Sequence, residues 1–251
     1  MPRKPPNRLR QPRKKKAKNN VSKITPEFPL AISAVVIDLD GTLLHTAPDL
    51  AEAANRMLAE LGLPPVAEET VKGYVGNGVA QLIKRVLTGT MHDEPDTALY
   101  ERARKIYDRH YSEVFSLYSR PFPDVIEGLN AFKQAGYRMG CITNKIAKYT
   151  EPLLKDTGLY DYFELILSGD TLPKMKPDPM QLLHACEQWG ITPDKMLLIG
   201  DSGNDTQAAR AAGCHVFCVP YGYNHGQDVG VLDLDAVVSG LLEAATLIRK
   251  A

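Results

Sequence analysis

After Ser33 the chain runs Ala-Val-Val-Ile37, an unbroken apolar stretch rich in β-branched residues, and then meets Asp38. Unbroken rather than alternating hydrophobicity marks a strand buried on both faces, as in a parallel sheet covered by helices. Similar short runs recur at Tyr137–Ile142, Phe163–Leu167, Met196–Ile199, His215–Val219 and Ala236–Val238. Helical patterns separate most of them. Pro152–Gly158, Pro179–Gly190 and Asp205–Gly213 each end at a glycine, which suits a helix C-cap. The alternation predicts an α/β fold with a doubly wound, mainly parallel, Rossmann-like sheet.

A long interval separates the first of these strands from the second, and it contains no convincing strand. It reads as helices at Pro48–Leu61, Glu68–Val75, Gly78–Leu87 and Asp96–Tyr118. One helix suffices for a parallel crossover, so the surplus predicts an inserted helical cap at residues 47–120. A length of 251 residues falls between one and two domains at ~150 residues each. It fits one core, at residues 31–46 and 121–251, carrying that insert.

Charge divides the chain. Of 30 Lys and Arg, nine fall within residues 1–18, where there is no acid. The other 21 face 30 Asp and Glu, so the body carries a net charge of −9. Residues 1–30, rich in Pro, Lys and Arg, are predicted to be a disordered basic tail. An acidic body binds nucleic acid poorly, so such binding would have to come from residues 1–18. No run approaches 18 consecutive apolar residues, and no membrane-spanning helix is expected. Asn19 and Asn20 follow the basic start where a secretory signal would turn apolar, so a cytoplasmic location is expected. Cys141, Cys186, Cys214 and Cys218 form no Cys-x-x-Cys pair and read as small buried hydrophobes. With 44% hydrophobic and 24% charged residues, the composition excludes a wholly disordered chain, a collagen-like fibre and a disulfide-dense miniprotein.

Chemistry-bearing residues gather at the predicted strand ends. Asp38 and Asp40, two apart on a strand, project to the same side. They lie at its carboxyl end, where open α/β sheets bind ligands. Two acids this close repel unless a cation or shared proton offsets them, and carboxylate oxygens of this kind suit Mg²⁺. Thr143 and Asn144 close the second strand, where a hydroxyl and turn N–H groups can hold phosphoryl oxygens. Lys176 precedes Pro177, and Asp178-Pro179 reads as a helix start. Asp201 ends the strand Met196–Ile199 and its glycine, and Asp205 follows at the start of an Ala-rich helix. These residues point to a divalent-metal phosphate site, without separating nucleophile from acid. Asn77, between Gly76 and Gly78, would open a helix whose N–H groups could meet an anionic substrate.

Acid pair, hydroxyl, lysine and acid, in that order over residues 33–240, resemble the haloacid dehalogenase superfamily of phosphotransferases. Within it, Ala47-Pro-Asp-Leu, Val75-Gly-Asn-Gly78, Gly169-Asp-Thr-Leu-Pro and Tyr221-Gly-Tyr-Asn-His-Gly226 are similar to the bacterial phosphoglycolate phosphatases. His45 departs from the acid common at its place there, and the basic tail lies outside the usual pattern. The resemblance implies that Asp38 attacks phosphorus and that Asp40 protonates the leaving group and then activates water. It implies that Thr143 and Lys176 hold the phosphoryl group. It further implies Mg²⁺ on Asp38, the Asp40 main-chain carbonyl and Asp201, with Asp205 direct or supporting. The implied substrate is a small phosphorylated metabolite. The alternatives are another phosphatase, a pyrophosphatase or a hexose-phosphate mutase of the same superfamily, or a non-catalytic nucleic-acid or membrane adaptor using the tail.

Overall fold

In chain order the first strands are β1 (Leu30–Ile32), β2 (Ala34–Ile37) and β3 (Leu44–His45). Four helices follow: α1 (Ala47–Glu60), α2 (Glu68–Tyr74), α3 (Gly78–Thr88) and α4 (Thr97–Val114). Next come β4 (Arg120–Pro121), α5 (Val125–Gln134), β5 (Arg138–Ile142), α6 (Ala147–Asp156), β6 (Leu165–Leu167) and α7 (Met180–Trp189). The chain ends with β7 (Met196–Gly200), α8 (Gly203–Ala212), β8 (His215–Cys218), β9 (Ala236–Val237), α9 (Leu241–Thr246) and β10 (Ile248–Lys250). This computed structural model describes Met1 and residues 26–251. Most of the expected disordered tail, including nearly all of residues 1–18, lies outside the described residues.

Six strands form one sheet in the order β6-β5-β2-β7-β8-β9, with every neighbouring pair parallel. All four residues of β2 are fully buried, the physical basis of its unbroken apolar sequence. Val35 and Ile37 join one apolar layer with Leu129 and Phe132 of α5, Leu153 of α6 and Leu241 of α9. Ala34 and Val36 join the opposite layer with Leu182 of α7 and Ala208 of α8. Each buried Val or Ile contributes about 1.5–3 kcal/mol, and Ile37→Ala would cost about 2–5 kcal/mol because its layer cannot collapse on the gap. The strand order runs outward in both directions from β2, so a crevice opens at its carboxyl end.

Helices α1 to α4 bury a separate apolar cluster that includes Met57, Leu82, Ile83, Ile106 and Tyr107. The chain enters and leaves this layer beside β3 and β4, which pair antiparallel. Asp49, fully buried in the first turn of α1, ties the two crossings together by accepting from the N–H groups of Tyr118 at 2.8 Å and Ser119 at 2.9 Å. All four cysteines are buried and free. Among the described residues no helix is long and apolar enough to cross a membrane.

Some details depart from the sequence reading. The last residues of the expected tail pack against the core: Leu30 pairs with Ile248, and the Phe28 ring lies 5.9 Å from Phe217. Helix α6 begins at Ala147 with Pro152 inside it, rather than starting at that proline. Helix α7 begins at Met180, whose N–H is capped by Asp178 Oδ1 at 3.1 Å. Helix α5 was not anticipated, because Gly128 interrupts its helical propensity. That glycine is required by packing: a Cβ there would strike Leu241 of α9.

Candidate active site

Asp38 stands one residue beyond β2, and its N–H donates to Ile199 O of β7 at 2.9 Å. The chain must then turn sharply, which Gly41 permits at φ +92°. A Cβ at Gly41 would strike the Asp201 carboxylate. Thr143, buried just past β5, continues the ladder by donating its N–H to Leu167 O at 3.0 Å. Asp201 follows β7 directly, and Lys176 sits in the loop before α7. Parallel pairing therefore delivers four separate loops to one end of the sheet.

At the centre lies Lys176, 2% exposed, with Nζ 2.8 Å from Asp38 Oδ1 and 2.6 Å from Asp205 Oδ1. The other oxygen of Asp205 accepts from Ser202 N–H at 3.1 Å and Ser202 Oγ at 2.7 Å. Asp201 accepts from Tyr223 N–H and, at 3.3 Å, from Thr42 Oγ1. Carboxylate oxygens of Asp38, Asp201 and Asp205 lie within 4.8 Å of one another. Burial pushes Asp38 up to about 7, although Lys176 draws it back. Burial also lifts Asp201 well above the usual carboxylate range, and the charges of Asp205 and Asp38 add to the rise. Burial alone would lower Lys176, but Asp205 and Asp38 outweigh it and hold the ammonium above its ordinary value.

Three carboxylates against one ammonium leave an excess of negative charge in a site of low dielectric. An all-oxygen donor set of this kind fits a hard divalent cation, whose charge would offset the repulsion. Asp205 is bound to the Lys176 ammonium through one oxygen and to Ser202 through the other, which suits a supporting position. Asp201 accepts only from a backbone N–H and a hydroxyl, and Asp38 has one oxygen without a partner among the described residues.

Asp40 faces away from this trio. Its two oxygens lie 3.0 and 3.3 Å from Lys145 Nζ. The Lys145 side chain is 6% exposed, and its ammonium also lies 5.3 Å from the centre of the Tyr111 ring. Asn144 Nδ2 donates at 2.9 Å to both Gly76 O and Lys176 O, joining the helical layer to the core. Asn77 Oδ1 accepts from Arg85 at 2.8 Å and its Nδ2 donates to Asn204 at 3.2 Å. The Asn77 side chain thus holds the Gly76–Gly78 loop in place over the core.

Asp38, Asp40, Asn77, Thr143, Asn144, Lys176, Asp201 and Asp205 all line one cavity of about 240 Å³. That volume lies at the small end for ligand sites. Sequence reasoning missed Lys145, Arg104 and Tyr111, which line the same cavity together with Tyr223 of the Tyr221–Gly226 stretch. Lys145 had a readable signal, since it stands two residues past Thr143 in the turn after a strand. Tyr111 had none, because a helical tyrosine is usually a packing residue.

The chain matches the family described as haloacid dehalogenase-like hydrolase over residues 35–219. It is 67% identical over 224 residues to a phosphoglycolate phosphatase of Thiobacillus denitrificans, spanning 89% of this chain and 99% of that protein. To the phosphoglycolate phosphatase of Nitrosospira multiformis it is 57% identical, over 89% of this chain and 98% of that protein. A crystal structure of a predicted phosphoglycolate phosphatase from Haemophilus somnus superposes with a TM-score of 0.78 at 32% identity, covering 84% of this chain and 95% of that one. With the acid pair, hydroxyl, lysine and second acid pair converging at the carboxyl end of a parallel sheet, the chain belongs to the haloacid dehalogenase-like hydrolases.

Proposed function

We propose that this protein hydrolyses a small phosphomonoester, 2-phosphoglycolate, to glycolate and phosphate. The single observation that carries the reaction class is a buried carboxylate, Asp38, on one lysine, with a second carboxylate, Asp40, held apart from it by a lysine of its own. The substrate rests on the high identity to proteins named for that activity and on the small cavity.

Asp38 is the nucleophile. An oxygen of its carboxylate attacks phosphorus, the ester bond breaks, and an aspartyl-phosphate forms. Asp40 gives its proton to the departing alkoxide and in the second step takes a proton from the attacking water. Lys176 and Thr143, with the backbone after β5, hold the phosphoryl oxygens as charge shifts onto them. Asn144 fixes this loop against Lys176. Asn77 bounds the substrate space from the helical side, and α1 to α4 act as a cap. Asp38, Asp201 and the main chain at Asp40 would hold Mg²⁺, backed by Asp205. The ion would supply positive charge that lets an anionic nucleophile approach a phosphate dianion. The cytoplasm is the setting that fits a small-metabolite hydrolase with no apolar spanning helix among its described residues.

Phosphate release tests the proposal, measured with Mg²⁺ on 2-phosphoglycolate, glucose phosphates, ribose 5-phosphate, pyrophosphate and p-nitrophenyl phosphate. Asp38→Asn protein is the blank. The expected result is a strong preference for 2-phosphoglycolate that disappears with EDTA and with Asp38→Asn. Asp38-dependent activity favouring another ester would discard the substrate and keep the mechanism.

A further inference from the structure

Three cations line the cavity among the described residues: Lys176, Arg104 and Lys145. Lys176 is spoken for by two carboxylates. Arg104 is gripped through Nε by both oxygens of Asp108, at 3.1 and 2.9 Å. Lys145 has one carboxylate partner, Asp40. A general acid must come within about 2.6–3.2 Å of the leaving oxygen, and Asp40 can turn there only by giving up its two-oxygen hold on Lys145. When Asp40 turns to the ester, the ammonium of Lys145 is left nearly buried and facing the cavity. A buried charge left without a partner is costly, so the site calls for an anion delivered by the substrate itself.

The substrate's own dimensions fit this demand. In 2-phosphoglycolate one methylene separates the ester oxygen from the carboxyl carbon, so the carboxylate oxygens lie about 3 Å from the ester oxygen. Asp40 is 3.0 Å from Lys145. A leaving oxygen at Asp40 therefore puts the carboxylate within reach of Lys145. Tyr111 adds to the subsite: its ring faces the ammonium, and its buried hydroxyl has no hydrogen-bond partner among the described residues. The Asn77 side chain is the weaker candidate, since both its oxygen and its nitrogen are already bonded.

We propose that Lys145 is the specificity residue that binds the carboxylate of the substrate's leaving group, exchanging Asp40 for it as the substrate enters. This rests on the proposed 2-phosphoglycolate activity. The exchange frees the general acid when an acidic leaving group is present, and a neutral ester leaves Asp40 tied to Lys145.

The test compares 2-phosphoglycolate with its neutral counterpart, 2-hydroxyethyl phosphate, in wild type, Lys145→Met, Lys145→Arg and Arg104→Met. Losing a charged hydrogen bond corresponds to a change of roughly 15- to 150-fold. Lys145→Met is expected to lower the kcat/KM preference for 2-phosphoglycolate by that factor, chiefly through KM, and Lys145→Arg to restore part of it. Thermal melting of each variant checks that it is folded. An equal loss on both esters, or a preference that survives Lys145→Met, would overturn the assignment while leaving the proposed substrate intact. A preference abolished by Arg104→Met and untouched at Lys145 would move the carboxylate to Arg104 and overturn it too. A wild-type enzyme indifferent to the carboxylate would overturn the substrate and the subsite together.

Discussion

Lys176 holds two carboxylates, Asp38 at 2.8 Å and Asp205 at 2.6 Å. Lys145 holds one, Asp40 at 3.0 Å, and its other neighbour is the face of Tyr111. Both ammonium groups are close to fully buried, so burial does not distinguish them. Their partners do. Asp205 is locked by Ser202 and belongs to the first turn of α8, which ties Lys176 to the core framework. Among the described residues Asp40 is bonded to no other side chain, and its backbone sits at the bend before Gly41. The first lysine is built to stay and the second to let go. An ion pair's partners, rather than its depth, indicate whether it is scaffold or moving part.

Removing each partner in turn would break or sharpen this contrast. Lys176→Met leaves Asp38 and Asp205 buried with no counter-charge, and unfolding in denaturant should show a loss of about 3–5 kcal/mol. Lys145→Met strands one carboxylate, Asp40, rather than two, and should cost less than Lys176→Met. Equal losses would erase the distinction. Asp40→Asn should lower kcat by two to four orders of magnitude while leaving Mg²⁺ affinity, read by titration calorimetry, near that of wild type. Near-normal turnover would remove Asp40 from its role.

A third ion pair, at the far side of the sheet, provides a control with no part in the chemistry. Burial alone would raise Asp235, but hydrogen bonds from His215, Arg210 and the Val216 N–H outweigh it and bring its carboxyl down to about 2. A carboxyl depressed in the folded state stabilises above its ordinary range and loses that contribution as pH falls toward 2. Asp235→Asn should therefore cost about 1–2 kcal/mol at pH 7, narrowing to little as pH approaches 2, with kcat unaffected. The smallest effect belongs to Asn77→Ala. Loss of its bonds to Arg85 and Asn204 should raise KM for 2-phosphoglycolate by roughly fivefold, about one hydrogen bond. The KM for p-nitrophenyl phosphate should move less.

Much of this was legible in the sequence because a parallel sheet leaves a plain trace. Each of the six strands of the main sheet is a short apolar run, and the acids, the threonine and the lysine stand at or near strand ends, where the fold must collect them. The pairs β1–β10 and β3–β4 left no such trace. They have two or three residues per strand, and their partners lie far apart in the chain. Helix α5 was hidden by the glycine that its contact with α9 demands. Lys145 went unrecognised for a related reason. Its place after Thr143 is readable locally, but its role depends on Asp40, 105 residues earlier, and on Tyr111 in the helical layer.

In the proposed mechanism Asp38 carries the phosphoryl group between two half-reactions, and Asp40 serves both. Asp40→Asn enzyme mixed with 2-phosphoglycolate and Mg²⁺, quenched in acid at successive times and digested, should show a phosphoryl group on the peptide containing Asp38. That group should appear and decay more slowly than in wild type. Turnover with no phosphoryl group ever detectable on Asp38, in either enzyme, would contradict the account.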